Sequence, residues 1–383
     1  MRIGILTIHD SPNYGACLQC YALWKYLTDQ GYDCEVIDLH RPGAHEDYVP
    51  SKRFTRCRPI PTSAFAKLKK SLKTLLGLNQ KPKSLYGKEA KSKFDAFNSL
   101  YKKSSPFLGP DALYNDPPKY DVYITGSDQL WNPMQPYSLD PFFLTFVHEK
   151  SKKKISFATS VGITELREEE KVKFNKWLSD YSAISVREKQ AKILLESFID
   201  KPIVQIADPS FLIDKMSWSS VSFFSKIKTP YILYFALRID NNVLDYCKRL
   251  SKECNSYLYV LNQTQVPPID NSYIAITDAG PSEFLGYIAN AELVITDSFH
   301  GTVFSILMEA KNFYTYIGNG NKRGSRIEDL LDMFSLTDHI FRDDISASYK
   351  DLQDNRPDSL YNRSIVSAEK TKAVEFLKKS IEQ

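Results

Sequence analysis

Leu293-Val294-Ile295-Thr296-Asp297-Ser298-Phe299-His300-Gly301-Thr302-Val303-Phe304-Ser305-Ile306-Leu307-Met308 reads as one strand, one tight turn and one helix. Leu293 to Ile295 is a short apolar run of the buried-strand kind. Thr296, Asp297 and Ser298 supply the small polar residues of a turn, and the apolar run resuming through Leu307 and Ala310 suits a helix. His300 falls at that turn. A strand end entering a helix N-terminus presents free backbone N–H groups and the positive end of the helix dipole, which favour an anion. In an open α/β sheet the crevice beyond the strand carboxyl ends is where ligands bind. The plain alternative is that Ser298 only caps the helix and His300 bonds to a neighbour.

The pattern repeats on both sides. Before it come a strand over 231–237, a helix over 242–252, a strand over 257–261 and a helix over 281–289. After it come a strand over 314–317, the loop Gly318-Asn319-Gly320-Asn321-Lys322-Arg323-Gly324 and a helix over 325–331. Lys322, Arg323 and Arg326 gather cations at a glycine-rich loop and helix start, a second candidate anion site, although ordinary surface loops share this composition.

The first half alternates in the same way. A strand over 3–8, the turn Ser11-Pro12-Asn13-Tyr14-Gly15-Ala16, a helix from Cys17 to Gln30 closed by Gly31 and a strand over 34–39 make a βαβ opening. Its turn has one glycine, so it is no G-x-G-x-x-G dinucleotide fingerprint. Asn13 and Gly15 either bring amide and backbone groups to a sugar or anion, or form a plain turn. A strand over 121–125 ends in Gly126-Ser127-Asp128-Gln129-Leu130-Trp131-Asn132-Pro133. The carboxylate of Asp128, the indole of Trp131 and the amide of Asn132 suit a carbohydrate; a buried indole beside a helix cap is the alternative. Further strands over 154–158, 183–186 and 203–206 flank an acidic helix over 166–178 and end in Arg187-Glu188 and Ala207-Asp208-Pro209-Ser210. The planar fork of Arg187 suits carboxylate or phosphate, and its ordinary alternative is a pair with a nearby acid. The expected fold class is α/β, with two Rossmann-like domains facing a cleft. They cover 1–214 and 215–350, joined by the polar stretch 214–229, and a tail, 351–383, packs its helix over 367–381 back on the first domain.

Composition bounds the rest. With 383 residues, 43% hydrophobic and 25% charged, the chain suits a soluble globular protein of two domains. No apolar run approaches the ~20 residues that cross a bilayer. The start lacks the apolar core and cleavage site of a secretory signal, so a cytoplasmic location is expected. Six scattered cysteines, Cys17, Cys20, Cys34, Cys57, Cys247 and Cys254, point to reduced thiols. The single C-x-x-C pair at Cys17 and Cys20 has no second pair to complete a zinc site, and no metal is expected. Segment 51–103 differs in kind, with 15 Lys or Arg against two acids, Glu89 and Asp95, in a chain of net charge +4. Within it Phe65, Leu68, Leu72, Leu75 and Leu76 share one helical face opposite Lys67, Lys69, Lys70 and Lys73. That basic helical insertion suits either an anionic membrane surface, as a peripheral contact, or packing on its own domain. No nucleic-acid motif is present.

Five motifs in order, Asn13-Tyr14-Gly15-Ala16 with Leu18-Gln19, Gly126-Ser127-Asp128-Gln129 with Trp131-Asn132, Ser185-Val186-Arg187-Glu188, Ala207-Asp208-Pro209, and Thr296-Asp297-Ser298 with His300-Gly301, give a chain that resembles the polysaccharide pyruvyl transferase family. The resemblance implies a fold similar to GT-B glycosyltransferases, with phosphoenolpyruvate as co-substrate and no cofactor. It implies transfer of pyruvate, as a cyclic ketal, to two hydroxyls of a sugar in a capsule, exopolysaccharide or cell-wall precursor, such as a lipid-linked oligosaccharide. On matching positions Ser298, Gly301, His300 and Arg187 fall at the donor, with Lys322, Arg323 and Arg326 competing for a further cation position. Read from their own residue types, Asn13, Tyr14, Gly15, Trp131 and Asn132 are the acceptor-side candidates.

The chemistry agrees with the residue types. Forming a ketal from an enol phosphate needs a proton delivered to carbon, and an imidazole titrating near neutrality makes His300 the leading acid/base candidate. Asp128 or Asp297 either deprotonates the acceptor hydroxyl or orients it. Two other readings share the architecture: a GT-B glycosyltransferase using a nucleotide sugar, and a non-catalytic carbohydrate-binding assembly protein.

Overall fold

A computed structural model describes residues 1–42, 44, 47–49, 88–224, 227–263, 267, 271–318, 324–342, 346–354 and 363–383. Its strands are β1 (Arg2–Leu6), β2 (Asp33–Val36), β3 (Val122–Thr125), β4 (Lys153–Thr159), β5 (Ala183–Val186), β6 (Ile203–Gln205), β7 (Tyr231–Ala236), β8 (Tyr257–Asn262), β9 (Ile274–Ile276), β10 (Leu293–Thr296), β11 (Phe313–Tyr316) and β12 (Ile340–Phe341). They form two six-stranded sheets, ordered β2-β1-β3-β4-β5-β6 and β12-β11-β10-β7-β8-β9. Neighbours pair in parallel, with Ile3 opposite both Cys34 and Val122, and Ile295 opposite both Tyr234 and Tyr314. Parallel sheets are covered on both faces. Hence Tyr231-Ile232-Leu233-Tyr234-Phe235-Ala236 is apolar and buried at every position. The two Rossmann-like domains face one another across a cleft, as the βα alternation predicts.

The covering helices are α1 (Tyr14–Asp29), α2 (Lys88–Asn98), α3 (Pro110–Asn115), α4 (Glu168–Leu178), α5 (Lys189–Glu196) and α6 (Lys215–Val221). They continue with α7 (Asn241–Glu253), α8 (Pro281–Asn290), α9 (Phe299–Leu307), α10 (Gly324–Met333), α11 (Tyr349–Asp354) and α12 (Arg363–Glu382). α1 begins three residues before the expected Cys17, because the Asn13 side chain accepts the Ala16 N–H at 3.0 Å and draws the turn into the helix. α2, α3, α5, α6, α11, β9 and β12 are additional to the elements expected from sequence.

One apolar cluster runs through both domains, from Ile3 through Tyr14, Trp218, Phe235 and Phe284 to Ile381. The polar stretch between the sheets is therefore no loose connection. Its α6 buries Trp218 edge-on to Phe304 at 5.0 Å and 5.8 Å from Tyr21. α12 lies against the first sheet, where Lys153 Nζ donates to the Ile381 carbonyl at 2.8 Å and Phe376 approaches Phe157 at 6.4 Å.

Of the basic segment, residues 88–103 are described, and the apolar stripe from Phe65 to Leu76 lies outside the described residues. In α2, Phe94 and Phe97 pack on Tyr14 and Tyr21 at 5.0 and 5.4 Å. Lys93 reaches across to Asp278 at 3.3 Å and Glu283 at 3.2 Å in the second domain. Among the described residues no helix is long and apolar enough to cross a membrane, and no cluster of three or more His, Cys, Asp or Glu could hold a metal ion.

Candidate active site

In each sheet the chain order reverses once, between β1 and β3 and between β7 and β10. Such switch points open a crevice beyond the strand ends, and here the two crevices face each other. A cavity of about 310 Å³ lies between them. The first domain contributes Asn13, Gly15 and Asp128, and the second contributes Arg238, Asp297, Ser298, His300 and Arg326.

Two helices begin at this cavity from opposite sides. α1 is capped by Asn13, and α9 by Ser298, whose Oγ accepts the Gly301 N–H at 3.2 Å. Their unsatisfied first-turn N–H groups and positive dipole ends favour a negatively charged ligand between them. The helices approach so closely that a Cβ at residue 15 would overlap the imidazole of His300. Glycine at 15 therefore gives the ring its seat on α1.

Behind the imidazole lies Asp208, at the end of β6. Its Oδ2 is 3.6 Å from His300 Nε2, an ion-pair separation rather than a hydrogen bond, and Nε2 has no hydrogen-bond partner. Asp208 Oδ2 also accepts from Arg187 Nη1 at 2.9 Å, while Oδ1 accepts from the Ser210 amide and hydroxyl at 3.0 and 2.7 Å. Burial pushes this carboxyl up, but the His300 edge, the Arg187 charge and the Ser210 amide prevail and hold it well below the usual carboxylate range. Ser127 Oγ is 3.2 Å from the same Oδ2, and the Ser127 N–H donates to Gln19 Oε1 at 3.1 Å. Gln19 in turn donates to Thr7 Oγ1 at 2.9 Å and to the Ala16 carbonyl at 3.0 Å. The motif residues at 19, 127, 187, 208 and 300 thus form one buried polar network beneath the cavity.

Other residues expected at the site have different surroundings. Arg187, expected to clamp the donor, is absent from the cavity wall. It sits 3% exposed beneath Phe299, 4.0 Å from that ring, with Asp208 at 2.9 Å and Glu188 at 3.4 Å. Two acids of its own domain take Nε and Nη1, while the buried Nη2 has no hydrogen-bond partner. Trp131 is fully buried, stacked on Phe143 at 4.8 Å, with its N–H donated to the Phe142 carbonyl, so no indole face is open to a sugar. Tyr14 is stacked on Phe284 at 4.6 Å and donates to the Ala279 carbonyl at 3.0 Å, joining the domains rather than lining the cavity. Asn132 bonds Gln129 at 2.7 Å and the Met134 amide at 2.9 Å, shaping its own loop. Gly301 is required by packing, since a Cβ there would strike the Thr296 side chain.

Asp128, in the left-handed region at φ 69°, lines the cavity with its Oδ1 accepting the Gln129 N–H at 2.8 Å. Asp297 accepts the Leu237 N–H at 2.6 Å, tying the ends of β10 and β7. Arg326 lies in the first turn of α10 with its guanidinium nitrogens 3.0 and 3.2 Å from the Gln129 side-chain amide. Lys322 and Arg323 lie outside the described residues. Sequence reasoning missed Asp208, although its motif was visible, and it missed Arg238 and Arg41. Arg41 lines the cavity while held by Asp10 at 2.6 Å. A lone arginine at a strand end carries little signal by itself.

Residues 13–316 match the family model described as polysaccharide pyruvyl transferase. No curated protein matches the chain. Among solved structures, the spinosyn forosaminyltransferase SpnP is 11% identical, with TM-score 0.45 and 100% of both chains covered. A UDP-GlcNAc 2-epimerase from Methanocaldococcus jannaschii is 12% identical, with TM-score 0.44, covering 98% of this chain and 92% of that one. Arabidopsis thaliana UGT89C1 complexed with quercetin is 11% identical, with TM-score 0.46, covering 100% and 97%.

Proposed function

Because this chain belongs to the polysaccharide pyruvyl transferase family, we propose that it moves the enolpyruvyl group of phosphoenolpyruvate onto two hydroxyls of one sugar, forming a cyclic pyruvate ketal and releasing phosphate. The observation that carries this reading is His300, seated at the mouths of two helix N-termini with Asp208 at its back, 3.6 Å from Nε2.

Phosphoenolpyruvate carries a carboxylate and a phosphate. The α1 and α9 N-termini, Arg326 and Arg238 offer the matching positive groups around one cavity. In the proposed reaction His300 donates a proton to the methylene carbon, giving a methyl group and a cationic centre at the adjoining carbon. One sugar hydroxyl adds there and loses its proton. The carbon–oxygen bond to phosphate then breaks, the second hydroxyl adds and loses its proton to close the ketal, and of the two hydroxyl protons one restores His300 and the other leaves with phosphate. Asp208 holds the imidazole and balances its charge, and Arg187 and Ser210 keep that carboxylate ionised. Asp128 and Asp297 stand on opposite walls as the groups for the acceptor hydroxyls. In this proposal the acceptor is a lipid-linked oligosaccharide, met at an anionic membrane surface through the basic segment 51–103.

The test is thermal stabilisation by phosphoenolpyruvate against a panel of nucleotide sugars, for the native chain and for His300→Ala and Arg326→Ala. A ligand at 100 times its Kd stabilises the folded state by about 2.7 kcal/mol. Stabilisation by phosphoenolpyruvate, lost in Arg326→Ala, is expected. Stabilisation by a nucleotide sugar with none by phosphoenolpyruvate would make the chain a glycosyltransferase instead.

A further inference from the structure

A second cavity, about 600 Å³, opens beside the first, and Arg326 stands in the wall of both. One side is built by Thr164 and Glu165 after β4 and by Glu188 and Gln190 after β5; the other by Arg326 and Glu328 of α10. It is therefore an interdomain groove beyond the carboxyl ends of two further strands, continuous with the reaction cavity. None of the five motifs that single out the first cavity explains its walls beyond Glu188.

Glu188 is the informative residue. It is 3% exposed, its Oε1 is 3.4 Å from Arg187 Nε, and its Oε2 has no hydrogen-bond partner. A buried carboxylate oxygen left without a donor is costly unless a ligand supplies one. Among the described residues the groove presents three carboxylates, at 165, 188 and 328, and the cation Arg326; Glu328 is paired with Arg342 at 2.6 Å, and Glu188 with Arg187 at 3.4 Å through Oε1 alone. The unpartnered Glu188 oxygen is an acceptor only, so it suits a hydroxyl or ammonium donor and not another carboxylate.

We propose that this groove binds the acceptor as a neutral or amino sugar, with a hydroxyl or ammonium of that sugar donating to Glu188 Oε2. The sugar then lies alongside Arg326, with its reacting hydroxyl pair directed into the cavity that holds His300. Sugars carrying a carboxylate are excluded from this subsite. The proposal rests on the pyruvyl-transfer reading for what happens next, but the binding itself does not require phosphoenolpyruvate.

The test is ligand-observed saturation-transfer NMR on the full chain. Its probes are methyl glycosides of glucose, galactose, mannose, glucosamine and glucuronic acid, each with and without phosphoenolpyruvate. At least one neutral or amino glycoside is expected to bind about tenfold more tightly than the glucuronide, the size of one charge-assisted hydrogen bond gained or lost. Glu188→Gln is expected to weaken that glycoside by a similar factor. Thr164→Trp, at an exposed wall position, should block it while leaving stabilisation by phosphoenolpyruvate intact. Equal binding of the glucuronide, undiminished binding in Thr164→Trp, or no binding of any probe would overturn the groove. Sugar binding lost in both variants, with no response to phosphoenolpyruvate, would keep the groove and remove the pyruvyl-transfer reading.

Discussion

Asp208 Oδ2 stands 3.6 Å from His300 Nε2, and the two residues belong to different domains. Asp208→Asn keeps the shape and removes the charge on which Arg187 and His300 both lean. Turnover should fall by about 10²–10⁴, the scale of a disabled proton-transfer group. Breaking a buried ion pair on one side should also cost about 3–5 kcal/mol of stability. Steady-state kinetics at a temperature where the variant is folded separates the two effects, and unchanged kcat there would reduce Asp208 to scaffolding.

Acid should expose the same carboxyl. Its folded pKa is depressed, so the unfolded chain binds the proton more readily. The stability it contributes is complete above the ordinary carboxylate value of about 3.9 and is lost as pH falls from there toward the folded value. The stability gap between the native chain and Asp208→Asn should be constant near neutrality and narrow below about pH 4. A gap that widens on acidification would contradict this.

Gly15→Ala tests the seat of the imidazole. The added methyl overlaps the ring, so His300 must turn away or α1 must shift. Overpacking of this kind costs about 1–3 kcal/mol, leaving a folded protein. Activity should nevertheless drop nearly as far as in His300→Ala. A Gly15→Ala enzyme with native kcat would place the working imidazole elsewhere.

Trp131 and Tyr14 should behave as packing residues. Trp131→Ala should cost about 3–5 kcal/mol. Tyr14→Phe, losing the bond to Ala279, should cost about 0.5–1.5 kcal/mol. Neither change should selectively raise KM for the acceptor. A Tyr14→Phe enzyme with native melting temperature and a raised acceptor KM would return the phenol to the sugar.

Much of this architecture was legible because parallel strands announce themselves. The runs at 183–186 and 293–295 are short and followed by polar turns, and they lie in the strands Ala183–Val186 and Leu293–Thr296. Elements of two or three residues, such as Ile340–Phe341 and Ile274–Ile276, hold too few side chains to show a period. The site was legible in its residue types and less so in their partners. Arg187 invites an anionic ligand on chemistry alone, yet its anions are Glu188, next in the chain, and Asp208, brought in by the fold. Asp208 and His300 are far apart in sequence, and no spacing rule links them. Trp131 and Asn132 sit in a loop that looks like a sugar site, but whether an indole faces a cleft or Phe143 depends on packing.

The division of the dyad between two sheets means that neither half of the chain owns the reaction. A first domain folded alone would hold Arg187, Asp208 and the ordered cap of α1, with no ring to position. A second domain alone would present His300 to water. In the proposed reaction proton transfer is a property of the docked pair, so any substitution that loosens the shared apolar seam at Tyr14, Trp218 or Phe284 should appear as lost chemistry before it appears as lost structure.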